Sequence, residues 1–467
     1  MGARGVAVRD RRAACASRAA AAVLLVATSC AITDARAASR LSDEVIPLDK
    51  TIERPRSVLE VGGPFLDTGP LSEGFELPTG WVVQPQFLLF GSYRTAMQTF
   101  ERGDPPRNTE WANRLDVFGN LQLSGTERLV VGLRPLDKDN HYLGREWEPH
   151  ARWRSNVDGN LEMLFFEGDV GQMFPKLDPH DRHHLDYGFS VGRQPLVMQD
   201  GLLLNDIIDS AGLVRNSLHT PWTSGLRLDL FYGWDEINRG NNEMDHSARL
   251  YGGEAFADFF WGSVDLDAVY VTARRKTGDG FYGGMGVVTR GAVFGETVNW
   301  TVRVVGSQAI DHETPANGSG ALIFSEMGHT PAGTLDYVYL NTFVAAGRFT
   351  SAARGPEKGG PLGRMGVLFE AFELGRYGAP LGSEATDSVG AVIGYQRFFS
   401  AFRRQVVLEV GGRDATSGSG GPTAIAVGGK FQQALGRHFL IEIDSFVAGQ
   451  QDAPPAYGGR GEFMIKF

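Results

Sequence analysis

The sequence predicts an all-β protein: a transmembrane antiparallel β-barrel of about 18 strands, with 16 as the neighbouring even count, of the bacterial outer-membrane type. Apolar and polar side chains alternate in short segments from Trp81 to the last residue. After residue 38 no uninterrupted apolar stretch reaches the roughly 18 residues a membrane helix needs. The sequence also ends inside one of the alternating segments, on the aromatic Phe467.

Arg4, Arg9, Arg11, Arg12 and Arg18 lead into an apolar run from Ala19 to Thr28, and Ala35-Arg36-Ala37 follows with small residues where a signal peptidase reads. Residues 1–37 are expected to be a secretory signal peptide, cut before Ala38. The run is about half the length of a membrane-spanning helix, so no N-terminal anchor is expected. Cys15 and Cys30 are the only cysteines and both lie in this segment, which leaves the mature chain without disulfides or thiol chemistry. Residues 38–80 read as an extended periplasmic tail punctuated by Pro47, Pro55, Pro64, Pro70 and Pro78.

From residue 81 to 467 the period is two. Leu115, Val117, Gly119, Leu121 and Leu123 alternate with Arg114, Asp116, Phe118, Asn120 and Gln122; after the tight Ser124–Glu127 turn, Leu129, Val131 and Leu133 resume the apolar face. Alternation on both arms of a short turn is the antiparallel hairpin pattern. It recurs at Leu226–Trp234, Val264–Tyr270, Val298–Val304, Val406–Val410 and Phe439–Ser445. Ser124–Glu127, Trp261-Gly262 and Leu435–Arg437 read as periplasmic turns, while residues 136–159, 238–247, 309–334 and 414–422 read as outside loops. Trp81, Tyr93, Trp111, Trp234, Trp261, Tyr270, Trp300 and Phe399 fall at strand ends, where girdles at the lipid interfaces need them. A sandwich of this many strands would divide into domains, yet no linker interrupts residues 81–467.

A formal charge of −10 excludes nucleic acid as a partner. No phosphate loop, coupling segment or Gly-x-Ser-x-Gly nucleophile motif is present, so a passive channel without cofactors is expected rather than an enzyme. Its partners would be the lipid bilayer and lipopolysaccharide, the outer-membrane assembly machinery and the transported solute, and the barrel would be monomeric. Phe463, Ile465 and Phe467 form a terminal aromatic signal for that machinery, on the strand that must close against the first.

Side chains opposite the apolar face point inward. The pore-lining candidates are Arg94, Arg114, Arg128, Arg193, Arg227, Arg303, Asp229, Asp265, Asp267, Glu442 and Asp444. Mixed charge of this kind suits a water-filled channel with a field across it. Guanidinium groups grip carboxylates in a fork and stay charged, which favours an anionic passenger. His180, Asp181, His183 and His184 are the densest group of metal-ligand residues, but the segment reads as a solvated Pro-containing loop and no metal is assigned.

Phe189-Ser190-Val191-Gly192-Arg193-Gln194, followed by Asn205–Leu213, resembles the Gly-Arg-Gln segment of alginate-export-type outer-membrane proteins. The resemblance implies passage of an anionic polysaccharide through an arginine-lined pore, with Arg193 foremost. Read without it, the residues imply a general or carboxylate-selective porin.

Overall fold

A computed structural model describes residues 55, 57–62, 73–102, 106–138, 141–180, 182, 185–293, 295–400, 402–421 and 423–467. The expected signal peptide lies outside them. Eighteen antiparallel strands form one closed wall. They are β1 Gln86–Glu101, β2 Asn108–Gln122, β3 Arg128–Leu133, β4 Leu161–Asp169, β5 Gly188–Met198, β6 Leu204–Thr220, β7 Thr223–Asp235, β8 Arg249–Phe259 and β9 Gly262–Thr272. The second half comprises β10 Gly280–Val293, β11 Glu296–Ala309, β12 Gly320–His329, β13 Tyr337–Phe349, β14 Ala385–Phe399, β15 Arg404–Ala415, β16 Ala424–Leu435, β17 Phe439–Gln450 and β18 Ala453–Lys466.

Closure removes the edge that lipid could not satisfy. β18 pairs with β1 from Ser92↔Lys466 to Glu101↔Tyr457, and Phe467 exchanges both backbone hydrogen bonds with Gly91. Beyond that point the short strand Leu59–Val61 of the N-terminal segment pairs with Phe87–Leu89, so the first strand keeps a partner to its start.

The outward face is apolar, with Leu230, Leu266, Leu340, Ile393, Leu408, Val427 and Ile443 all exposed. In a membrane barrel these are the lipid-facing positions. Tyr232, Tyr251, Tyr270 and Phe281 stand in register across β7 to β10 as one aromatic row. Phe260 and Trp222 are exposed at the opposite, short-turn end. Among the described residues no helix is long and apolar enough to cross a membrane.

Two expected loops contain strands. Residues 309–334 hold β12, whose inward Leu322 and Phe324 are buried while Ala321, Ile323 and Met327 occupy the other face. Both faces are apolar, so the two-residue period that marks a half-solvated strand disappears. Residues 136–159 hold a hairpin, His141–Glu148 and Arg152–Arg154, which continues the wall beside the upper half of β2, where the six-residue β3 stops short.

The connection between β13 and β14, residues 350–384, turns into the lumen. Leu362, Met365, Leu368, Phe369 and Phe372 pack on the inner faces of β11 to β14, against Val305, Leu322, Phe324, Phe343 and Val392. Phe369 meets Phe343 edge-on at 5.7 Å. Burial of each large side chain contributes about 1.5–3 kcal/mol relative to exposure, so the loop is packed in place.

Candidate constriction site

Polar clamps hold the inward loop at both ends. Val367 and Leu368 donate backbone N–H groups to the two Glu409 carboxylate oxygens, each at 2.9 Å. Gly366 precedes them at φ +145, where a Cβ would collide with that carboxylate, so only glycine allows the approach. Asn341 donates to the Met365 carbonyl at 2.7 Å, and the Tyr142 hydroxyl to the Glu373 carbonyl at 2.7 Å. At the start of the loop the fully buried Arg354 donates to the carbonyls of Gly201 and Gly359. Burial pushes its guanidinium down to about 10, against the pull of Glu384 and Asp206, so it remains a cation at neutral pH.

Between this loop and the wall lies a cavity of about 330 Å³. Its charged lining is Arg94, Arg354, Lys358, Arg364 and Lys430 against Glu370, Glu373 and Glu442, five cations to three carboxylates. Lys358 reaches Glu373 at 2.5 Å and Lys430 reaches Glu370 at 2.8 Å. Burial opposes ionisation of Glu373, but Lys358, Arg114 and Arg94 hold its carboxyl below the ordinary range. The Phe372 ring forms part of the lining, with the Lys430 ammonium 4.9 Å and the Arg460 guanidinium 4.5 Å from its centroid. The site therefore offers net positive charge beside an aromatic face, a setting for a solute with one anionic group and an apolar body.

Most of the charges expected in the lumen are engaged in ion pairs. Arg94 pairs with Glu462 at 2.6 Å, and Arg460 extends the network to Glu442 at 3.0 Å and Asp444 at 3.2 Å. Arg114 binds Asp116 at 2.8 Å and the Glu373 carbonyl at 3.0 Å. Arg303 is held by Asp200 and, at 3.2 Å, by Glu326. Towards the short-turn end Arg128 pairs with Glu167 at 2.5 Å. Arg227 there spans Asp229 at 3.0 Å and Glu254 at 2.5 Å, while Asp267 accepts from Gln199 at 2.7 Å. Asp265 lies two residues from Asp267 on the same inward face of β9.

Arg193 is different. It has the parity of the exposed Val191 and Val197, whereas the neighbouring Gln194 is buried against Ser210. It stands on the outward face, paired with Asp209 at 2.8 Å and Glu236 at 3.1 Å, and does not line the pore as expected. Of the histidine-rich segment only His180 belongs to the described residues; Asp181, His183 and His184 lie outside them. Among the described residues no group of three metal-ligating side chains converges.

A second cavity, about 690 Å³, runs along β4 to β8 towards the short-turn end. Its charges are reversed: Glu167, Asp169, Asp229 and Glu254 against Arg227 alone.

No family model and no curated protein matches the chain. Solved structures do. OccK2 (OpdF) of Pseudomonas aeruginosa aligns with TM-score 0.57 at 8% identity, over 81% of this chain and 97% of that one. A BenF-like porin from Pseudomonas fluorescens Pf-5 aligns with TM-score 0.56 at 10% identity, over 82% and 98%. OpdK of Pseudomonas aeruginosa, solved with vanillate, aligns with TM-score 0.52 at 10% identity, over 81% and 98%. The fold is that of the outer-membrane porins. The alginate-export resemblance gains no support from these matches, and the outward position of Arg193 removes the residue on which it leaned.

Lys358, Arg364, Phe372 and Lys430 complete the lining of the 330 Å³ cavity, and sequence reading missed all four. A signal was present. Residues 361–381 carry Leu362, Met365, Leu368, Phe369, Phe372, Leu374, Tyr377 and Leu381 with no two-residue period, too apolar for a solvated loop.

Proposed function

We propose that the chain is a passive, substrate-selective channel of the Gram-negative outer membrane for uptake of small carboxylate-bearing solutes. The observation that carries this reading is the 330 Å³ cavity between loop 350–384 and the wall, with five cations to three carboxylates. A field of that sign concentrates anions and repels cations before they meet the narrowest point. The OpdK structure with vanillate and the BenF-like porin support a small solute over a polymer. A loop packed across the lumen also leaves poor passage for a polysaccharide. The short-turn end, where Phe467 meets Gly91, would face the periplasm, and Phe463, Ile465 and Phe467 would serve the assembly machinery.

Liposome uptake of labelled solutes tests this directly. Small monocarboxylates should enter faster than size-matched neutral or cationic analogues, and polyuronate should not cross. Equal rates for all three small classes would refute selectivity, and polyuronate flux would restore the export reading.

A further inference from the structure

Near the long-loop end, the outward-facing Arg145 has no carboxylate partner among the described residues. The hairpin beside β2 has two faces. Inward, Tyr142 binds the Glu373 carbonyl, and Glu146 takes Arg152 at 2.6 Å and Arg154 at 2.7 Å. Alternation then turns Arg145, Trp147 and Trp153 outward. Register places Met97 opposite Trp111, Trp111 opposite Arg145, and Arg145 opposite Trp153, so the group forms one row across β1, β2 and the hairpin.

The Arg145 guanidinium lies 5.1 Å from the Trp153 ring centroid and 5.7 Å from that of Trp147. Trp153 meets Trp111 edge-on at 6.4 Å, and Trp111 is fixed by its indole N–H donating to Thr95 at 2.7 Å. Arg145 makes no ion pair among the described residues, whereas Arg193, also outward, is held between Asp209 and Glu236. Trp153 is 67% exposed and Met97 61%.

Height decides what meets this face. Met97 lies on β1 beyond Phe87, which marks the short-turn end, by about the ten tilted residues that cross the hydrocarbon core. The row therefore sits where hydrocarbon gives way to headgroups on the long-loop side. Tryptophan rings suit that boundary, and an unpaired guanidinium there calls for a phosphate, which it grips with two parallel N–H bonds.

We propose that Arg145, flanked by Trp147 and Trp153, is a headgroup site for the phosphorylated glycolipid of the outer leaflet, lipopolysaccharide. The assignment rests on the outer-membrane reading above, through the leaflet that this face meets.

The test is native mass spectrometry of the detergent-purified full barrel, titrated with bisphosphorylated lipid A, dephosphorylated lipid A, phosphatidylglycerol or inorganic phosphate. Arg145→Gln should weaken bisphosphorylated lipid A about tenfold while single-channel conductance stays at the wild-type value. Trp153→Ala should weaken it less. Dephosphorylated lipid A should bind the wild type as weakly as bisphosphorylated lipid A binds the variant. Wild-type affinity in Arg145→Gln would overturn the proposal. So would phosphatidylglycerol binding as tightly as lipid A, or inorganic phosphate displacing it at equal concentration. Failure of the outer-membrane reading would show separately, as absence of the protein from the outer-membrane fraction.

Discussion

The constriction and the wide cavity below it share one wall but carry opposite charge. Above, loop 350–384 adds Lys358 and Arg364 to the wall residues Arg94 and Lys430. Below, Glu167, Asp169, Asp229 and Glu254 face the cavity, with Arg227 the sole cation of its lining. The two regions differ in how charge is held. The upper side chains are fixed by a packed loop whose apolar residues join the barrel's core, so their positions are set before a solute arrives. The lower ones stand on the wall strands themselves, where Arg227 holds Asp229 at 3.0 Å and Glu254 at 2.5 Å. Selectivity should therefore reside in the upper region, and the lower one should act as an acidic vestibule that discourages an anion from lingering.

Removing the upper region is the harshest way to break this contrast. Replacing residues 361–378 with a Gly-Ser linker should raise single-channel conductance about threefold or more and abolish discrimination between anions. Unchanged conductance would mean that the loop does not form the constriction. Reversing charge is the next test. Lys358→Glu with Lys430→Glu converts five cations and three carboxylates into three and five, and the zero-current potential in a KCl gradient should change sign. In the vestibule, Asp229→Asn with Glu254→Gln should alter anion flux by less than about twofold, because both carboxylates are already paired with Arg227. A shift as large as that of the lysine pair would dissolve the distinction between the regions.

Acid offers a gentler probe. The folded-state pKa of Glu373 is depressed, so its tether to Lys358 is fully present above the ordinary carboxylate value and is lost as pH falls below it. The part of the conductance that depends on Glu373, read as the difference between the native chain and Glu373→Gln, should be level from pH 7 to 5 and change only below about pH 4. A midpoint near pH 6 would contradict the assigned pairing. Arg193→Ala should be the quietest variant. Its ion pairs with Asp209 and Glu236 lie on the outward face, away from the lumen, so the variant should leave conductance and selectivity at wild-type values.

The wall was legible in the sequence because lipid on one side and water on the other impose a period of two. Legibility failed wherever one of those two environments was replaced. Leu322 and Phe324 of β12 face the packed loop instead of water, so the strand carries apolar residues on both faces and reads as no strand at all. Arg193 failed in the other direction: its partners Asp209 and Glu236 supply on the outward face the polarity that usually marks the inside. Val191 and Val197 could have fixed its parity, since apolar residues two and four positions away share its face. Arg94 and Glu442 were found because they stand on well-alternating strands. Lys358 and Arg364 were not, since their placement depends on burying Leu362, Met365, Leu368 and Phe369 against strands distant in sequence. No local period encodes that contact.

Zero-current potential in a planar bilayer under a KCl gradient, comparing the native chain with the Lys358→Glu, Lys430→Glu variant, tests the central claim most directly. An anion-selective potential in the native channel that inverts in the variant is the predicted result. A native channel that prefers cations, or a variant that keeps the native potential, would contradict the assignment of selectivity to the loop-built constriction.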